Sequence, residues 1–196
     1  MSLLPPAAPR KPLHTRTLRF DGYHREDGLW DIEARLTDTK AYMWNSLEHG
    51  DMPPGTPLHD MLLRVTLDDD LKIVAIDTAM PGAPHAVCQL TQLPMQKMVG
   101  ETIGPGWRMK IDKALGGVQG CTHFRELLFN LATAALQAIP PYRARVRRAT
   151  GVVETGDQPP FFLGQCMTWD FDGPTVREHF PQFAGWKPVR RTKPEQ

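Results

Sequence analysis

The stretch Leu29-Trp30-Asp31-Ile32-Glu33-Ala34-Arg35-Leu36-Thr37 decides the fold class. Trp30, Ile32, Ala34 and Leu36 alternate with Asp31, Glu33 and Arg35. A period of two is that of a strand, whose successive side chains point to opposite faces. An amphipathic helix would instead repeat its apolar residues at three and four. One face of this strand is therefore expected against a core and the other in water.

Working outward, Thr15–Phe20 forms a second β-rich run, and the turn signals Asp21-Gly22 and Asp27-Gly28 join the two as a hairpin with a longer loop. Residues 38–57 are irregular and end in the loop Met52-Pro53-Pro54-Gly55-Thr56-Pro57. Leu58–Leu67 and Leu71–Thr78, joined by Asp68-Asp69-Asp70, predict a second hairpin. Beyond residue 85 the period changes. His85–Val99 places Val87, Leu90, Leu93 and Met98 at helical spacing, with a break at Pro94. Trp107–Leu115 fits a short helix stopped by Gly116-Gly117. Thr122–Ile139 is the strongest helix, with Leu127, Leu128, Leu131, Ala134, Ala135 and Ile139 on one face and Pro140-Pro141 as its stop. The fold class is α+β, an antiparallel sheet of about four strands in two hairpins packed on three helices.

Residues 1–14, rich in proline, read as a tail, 15–141 as the core domain and 142–196 as an extension packed on it. The extension carries Phe161, Phe162, Trp169, Phe171, Phe180, Phe183 and Trp186, too much aromatic surface to leave in water. It is expected to wrap the main body.

Bulk properties narrow the function classes. The 196 residues are 41% hydrophobic and 23% charged, ordinary values for a globular chain able to bury a core without disulfides. A net charge of +1 gives no field for nucleic acid or an anionic membrane. The arginines of residues 143–148 lack interleaved stacking aromatics, so no nucleic-acid partner is expected. Cys88, Cys121 and Cys166 form neither a CxxC pair nor a disulfide framework. No secretory signal and no membrane-spanning run is apparent. The expectation is a cytoplasmic protein with no membrane partner, homodimer formation being left open.

The richest chemistry lies in Gly120-Cys121-Thr122-His123-Phe124-Arg125-Glu126. A helix starting here presents free N–H groups and a positive dipole end, which attract an anion and acidify a thiol. His123 and Glu126, three apart, share a face, as a base and its orienting carboxylate would. His59-Asp60 opens a strand after the proline-rich loop, and alternation sends the two to opposite faces. His85 and Cys88 could share a helix face, and Asp170 with Asp172 forms a D-x-D pair. Tyr23, Tyr42 and Lys110 are further acid/base candidates.

Two resemblances follow. The pattern Arg19-x-Asp21-Gly22, Pro57-x-His59-Asp60-Met61, Gly104-x-Gly106-Trp107 and Gly117-x-x-Gly120-Cys121-Thr122-His123-x-x-Glu126-Leu127 resembles a bacterial family known as domain of unknown function 2889, over roughly residues 15–140. The order hairpin, turn, helix, short helix, Cys-bearing helix resembles the IscU/NifU iron–sulfur scaffold. By that likeness Asp60 and Cys121 fall at ligand positions, Leu58 stands where the first Cys would be, and Gly120 replaces the His before the last Cys. A cluster needs several thiolates, so the likeness favours the fold and disfavours the scaffold function. It also brings His59, Asp60, residues 83–88, Cys121 and His123 to one end of the domain.

Relatives of the first family look associated with breakdown of lignin-derived aromatics. The resemblance thus implies a small aromatic substrate and a cofactor-independent carbon–carbon lyase, releasing formaldehyde from a hydroxymethyl diaryl compound to leave a stilbene. His59 and His123 would move protons, with Asp60 or Glu126 orienting them. Tyr42, Arg125, Trp107, Lys110 and Cys121 would contact the substrate. The alternatives are a zinc- or iron-binding accessory protein using Asp60, Cys121, His123 and His85, and a non-catalytic ligand-binding module.

Overall fold

The computed structural model describes residues 4–5, 7–151 and 158–187. The chain divides into two compact units, Met1–Val146 and Arg147–Gln196.

The first unit is built on a four-stranded antiparallel sheet of order β1-β2-β5-β6, comprising β1 (His14–His24), β2 (Trp30–Lys40), β5 (Pro57–Leu67) and β6 (Ile73–Gly82). Both expected hairpins form. Between β2 and β5 lies a small hairpin of β3 (Trp44–Ser46) and β4 (Gly50–Met52), within the stretch read as irregular. Strands of three residues are too short to show a period, which is why the sequence hid them.

The register stacks rows of side chains across the sheet. Leu18, Leu36 and Met61 form one row, Phe20, Ala34 and Leu63 the next, and Gly22, Ile32 and Val65 a third. Leu36, Met61, Ile32 and Val65 are fully buried. Each such side chain contributes about 1.5–3 kcal/mol through burial. The covering layer is α1 (Trp107–Leu115), which buries Trp107, Ile111 and Leu115, and α2 (Thr122–Ala149), which buries Phe124, Leu127, Leu128, Leu131, Ala135 and Ile139. The Trp107 indole N–H donates to the Leu128 carbonyl, tying α1 to α2.

Two helical expectations are corrected. Residues Ala86–Met98 wind as a 3₁₀ segment rather than an α-helix. With three residues per turn, Val87, Leu90 and Leu93 line up on one side, and that side is exposed, while Met95 and Met98 face the core. The second concerns Pro140-Pro141, which does not end α2. Proline forfeits its own hydrogen bond, but its fixed φ is helical. Tertiary contacts hold the segment beyond it. Tyr142 packs edge-on to Trp30, and Arg143 donates to the Asp69 carbonyl.

The second unit has a small core of Leu163, Val176 and Phe183, the last two on α3 (Pro174–His179) and the turn after it. Phe162, Trp169, Phe171, Phe180 and Trp186 pack around that core, largely edge to face. The aromatic residues thus have partners among themselves.

Candidate functional site

The apolar rows of the sheet end in a polar one. The next residues in register are Arg16 on β1, Asp38 on β2 and His59 on β5, side by side on the core-facing surface. Their parity is that of Leu18, Leu36 and Met61, so the fold forces them inward. Register shifts fall at Asp38/Thr39 and at Asp60/Leu62, flanking the row. Bulges of this kind re-aim side chains at sheet ends.

Asp38 is the centre of the row, with 1% of its side chain exposed. Its Oδ1 accepts from His14 Nε2 at 2.9 Å and Arg16 Nε at 2.9 Å. Its Oδ2 accepts from Arg16 Nη2 at 2.8 Å and His59 Nδ1 at 2.9 Å. A carboxylate offers about four lone-pair sites, and all are used. Burial pushes the carboxyl pKa up, but the hydrogen bonds and charges of Arg16 and His59 outweigh it and hold it down at about 2. Asp38 is therefore an ion, and an acceptor only. His59 must then carry its proton on Nδ1, which leaves the Nε2 lone pair of the neutral ring free to take another.

The helix start lies over this row. The His123 ring sits 4.0 Å, centroid to centroid, from that of His59, tilted by 41°. Cys121 Sγ is 3.7 Å from His123 Nδ1. Burial raises the Cys121 pKa, but hydrogen bonds from His123 and from the backbone N–H groups of Phe124 and His123 outweigh that and lower it. Glu126 reaches Arg16 Nη1 at 2.6 Å. Arg16 thus clamps β1 to β2 through Asp38 and to α2 through Glu126. One short turn sets the position of α2. A Cβ on Gly120 would lie 2.7 Å from the Leu115 carbonyl oxygen, so α1 and α2 approach at a distance only glycine allows.

The structure brings together His59, His123, Cys121 and, through Arg16, Glu126. It does not bring in Asp60, whose parity puts it on the other face of β5, paired in two-pronged fashion with Arg35 at 2.8 Å. Asp38 occupies the orienting place that the sequence reading gave to Asp60 or Glu126. Tyr42 accepts from Lys40 and is exposed, and Lys110 pairs with Glu101. Trp107 is buried between the helices, and Arg125 pairs with Asp112 while lying over Phe129. His85 pairs with Glu48, Cys88 packs against the core, and Asp170 caps the backbone of Asp172. Asp38, Arg16 and His14 were missed. Their signal was parity: each continues an alternating apolar stripe with a charged or polar residue.

The second unit holds an open cavity of about 580 Å³ lined by Pro160, Phe161, Leu163, Phe171 and Trp186 among others. Its described wall contains no titratable side chain and so offers no acid/base group.

A family model for proteins of unknown function, DUF2889, matches residues 14–137. The chain belongs to that family. The match covers the sheet and α2 as far as residue 137, and so includes every residue of the polar row and of the helix start. No curated protein and no solved structure matches the chain. Among the described residues no helix is long and apolar enough to cross a membrane.

Proposed function

We propose that this DUF2889 chain is an enzyme of small-molecule proton-transfer chemistry, and specifically a cofactor-independent carbon–carbon lyase acting on a hydroxymethyl-bearing diaryl compound. The observation that carries the acid/base reading is the buried, ionised Asp38 on His59 Nδ1, with the His123 ring against that of His59. A fixed carboxylate sets the tautomer and stabilises the imidazolium formed when Nε2 takes a proton.

The substrate class rests on the family resemblance, and the site's inventory agrees with what the reaction requires. Formaldehyde release needs a base for the primary alcohol, a group that exchanges the phenol proton and a cation for the phenolate. The phenolate expels the benzylic hydroxyl, which leaves as water on the proton that was taken from the phenol, giving a quinone methide. Loss of the alcohol proton then breaks the carbon–carbon bond, and formaldehyde departs. The electron pair forms the stilbene double bond and returns negative charge to the phenolate oxygen. No net oxidation occurs, so no redox cofactor is required. In this scheme His59 takes the alcohol proton, His123 exchanges the phenol proton, and Arg16 is the nearby cation. Asp38 orients His59.

The test is to supply a 1,2-diarylpropane-1,3-diol carrying a free phenol and to follow stilbene absorbance and formaldehyde together. Expected turnover falls by about 10²–10⁴-fold in His59→Ala and in His123→Ala. Unchanged turnover in both variants sinks the assignment.

A further inference from the structure

The Asp38, His59 and His123 group has a second chemical capacity, independent of any substrate. One ligand atom from each lies within 4.8 Å of the other two. His59 Nδ1 and Asp38 Oδ2 are 2.9 Å apart. That is a hydrogen-bond distance, and it is close to the separation of neighbouring ligands on a metal, since bonds of about 2.1 Å leave their donors ~3.0 Å apart at right angles and ~3.4 Å apart at the tetrahedral angle, a few tenths of an ångström of adjustment. We propose that this cluster binds one divalent transition-metal ion through Asp38 Oδ2, His59 Nδ1 and a ring nitrogen of His123, the ion replacing the proton between His59 and Asp38.

The donor set selects the metal class. Two imidazoles and one carboxylate suit zinc, iron(II), cobalt(II) or manganese, whereas calcium and magnesium prefer oxygen donors throughout. Three protein ligands also leave coordination positions open for water.

The surroundings are those of a supported site. His14 Nε2 and Arg16 Nε hold the other carboxylate oxygen, Oδ1, as groups outside a metal's ligand shell commonly do. The cationic Arg16 would by itself repel an incoming ion. Glu126, 2.6 Å from Arg16 Nη1, offsets that charge and leaves the charge of Asp38 available. Each ligand comes from a separate element, β2, β5 or α2, and the core fixes all three. Lone-pair bookkeeping closes as well. When the ion takes the place of the His59 proton, Oδ2 still has two partners, the ion and Arg16 Nη2.

Ion and proton exclude one another at His59 Nδ1. A metal-loaded site loses the Asp38–His59 hydrogen bond on which the proton-transfer reading depends, so metal binding regulates that activity by inhibition.

The experiment uses the full chain, stripped with chelator and titrated with Co²⁺ alone, read by visible d–d absorption, with Zn²⁺ competition by calorimetry. The expected result is saturation at about one equivalent, displaced by Zn²⁺. Affinity is expected to fall more than tenfold in His59→Ala and in His123→Ala, and about 10–100-fold in Arg16→Gln. His85→Ala, at the exposed Glu48 pair, is expected to leave binding unchanged. Should His59→Ala fail to fold, His123→Ala at the helix start and the conservative His59→Gln carry the test. Absence of a saturable band in the native protein, or equal binding in the folded His variants, overturns the proposal. Stripped protein that converts the diaryl substrate without ever taking up Co²⁺ overturns this inference and leaves the lyase reading standing. Protein that binds one Co²⁺ but fails to convert the substrate when stripped supports the site and sinks the lyase.

Discussion

Asp38 gathers four hydrogen bonds from three cationic or imidazole side chains in a place where water is excluded. Its ionisation is therefore coupled to folding. In the folded, metal-free protein its pKa lies at about 2 rather than at the ordinary 3.8. A group depressed on folding adds stability above its unfolded pKa, and that contribution fades as pH falls toward the folded value. At 1.36 kcal/mol per unit, Asp38 contributes roughly 2 kcal/mol above pH 4, lost progressively between about pH 4 and pH 2. Urea unfolding with chelator present, repeated across that window, measures it. In Asp38→Asn the Asp38 share of this acid-linked loss is expected to vanish. Stability at neutral pH should also drop by about 3 kcal/mol, the low end for a broken buried pair because Arg16 is one-third exposed. An Asp38→Asn variant as stable as the native protein would remove the central role given to this carboxylate.

At the scale of elements, the site exists because the start of a helix lands on the last polar row of a sheet. The contact between Gly120 and the end of α1 controls that landing. Its backbone is extended, so another residue would meet no backbone strain there, and the constraint is space alone. An added methyl meets the Leu115 carbonyl oxygen at 2.7 Å and the Leu115 Cβ at 3.0 Å. Gly120→Ala is expected to cost about 1–3 kcal/mol. That lowers the melting temperature by roughly 3–10 °C for a chain this long. Site function, as turnover or Co²⁺ uptake, should weaken as well, because Cys121 and His123 shift with the helix. Gly104→Ala is the control: a Cβ there meets nothing within 4 Å, and the expected change in melting temperature is within about 2 °C. Equal melting temperatures for the two variants would mean that the approach of α1 to α2 is slack.

The same scale shows what could be read from the chain. The hairpins were legible because alternation at residues 30–36 is a long, regular signal. His59 and His123 were legible from their positions at a strand start and a helix start. The pairing of His59 with Asp38 was not, because it depends on a cross-strand register that pattern does not encode. The stretch from residue 38 reads as irregular, yet the parity of Trp30, Ile32, Ala34 and Leu36 carried two residues further puts Asp38 on the same apolar face, where an unpaired carboxylate would be costly. A buried position predicted for a charged residue is a reason to search for its partners. The prolines at 140 and 141 misled because local propensity weighed against continuing a helix that tertiary contacts at Tyr142 and Arg143 hold.

For the molecule as a whole, the two units differ in how much core each possesses. The first has one contiguous cluster from Trp30 to Ile139, drawing on β2, β5, β6, the 3₁₀ segment, α1 and α2. All of that cluster, and every member of the polar row, lies before residue 147. Among its described residues, the second unit has three buried apolar side chains and a surrounding set of partly buried aromatics. A segment of about 50 residues with so small a core sits below the size at which burial reliably exceeds chain entropy. A chain ending after Val146 is therefore expected to unfold in one cooperative step by thermal and urea melts, with the near-ultraviolet signature of Trp30 and Trp107 intact. It should also keep the Asp38–His59–His123 site, seen as Co²⁺ uptake at the same stoichiometry as in the full chain. Residues 147–196 expressed alone should show a broad, weakly cooperative melt. If the 1–146 chain instead lacks fixed tertiary structure, the cluster that runs from Trp30 to Ile139 is not sufficient by itself. The stability of the site would then have to be assigned to the whole chain rather than to the sheet and helices that form it.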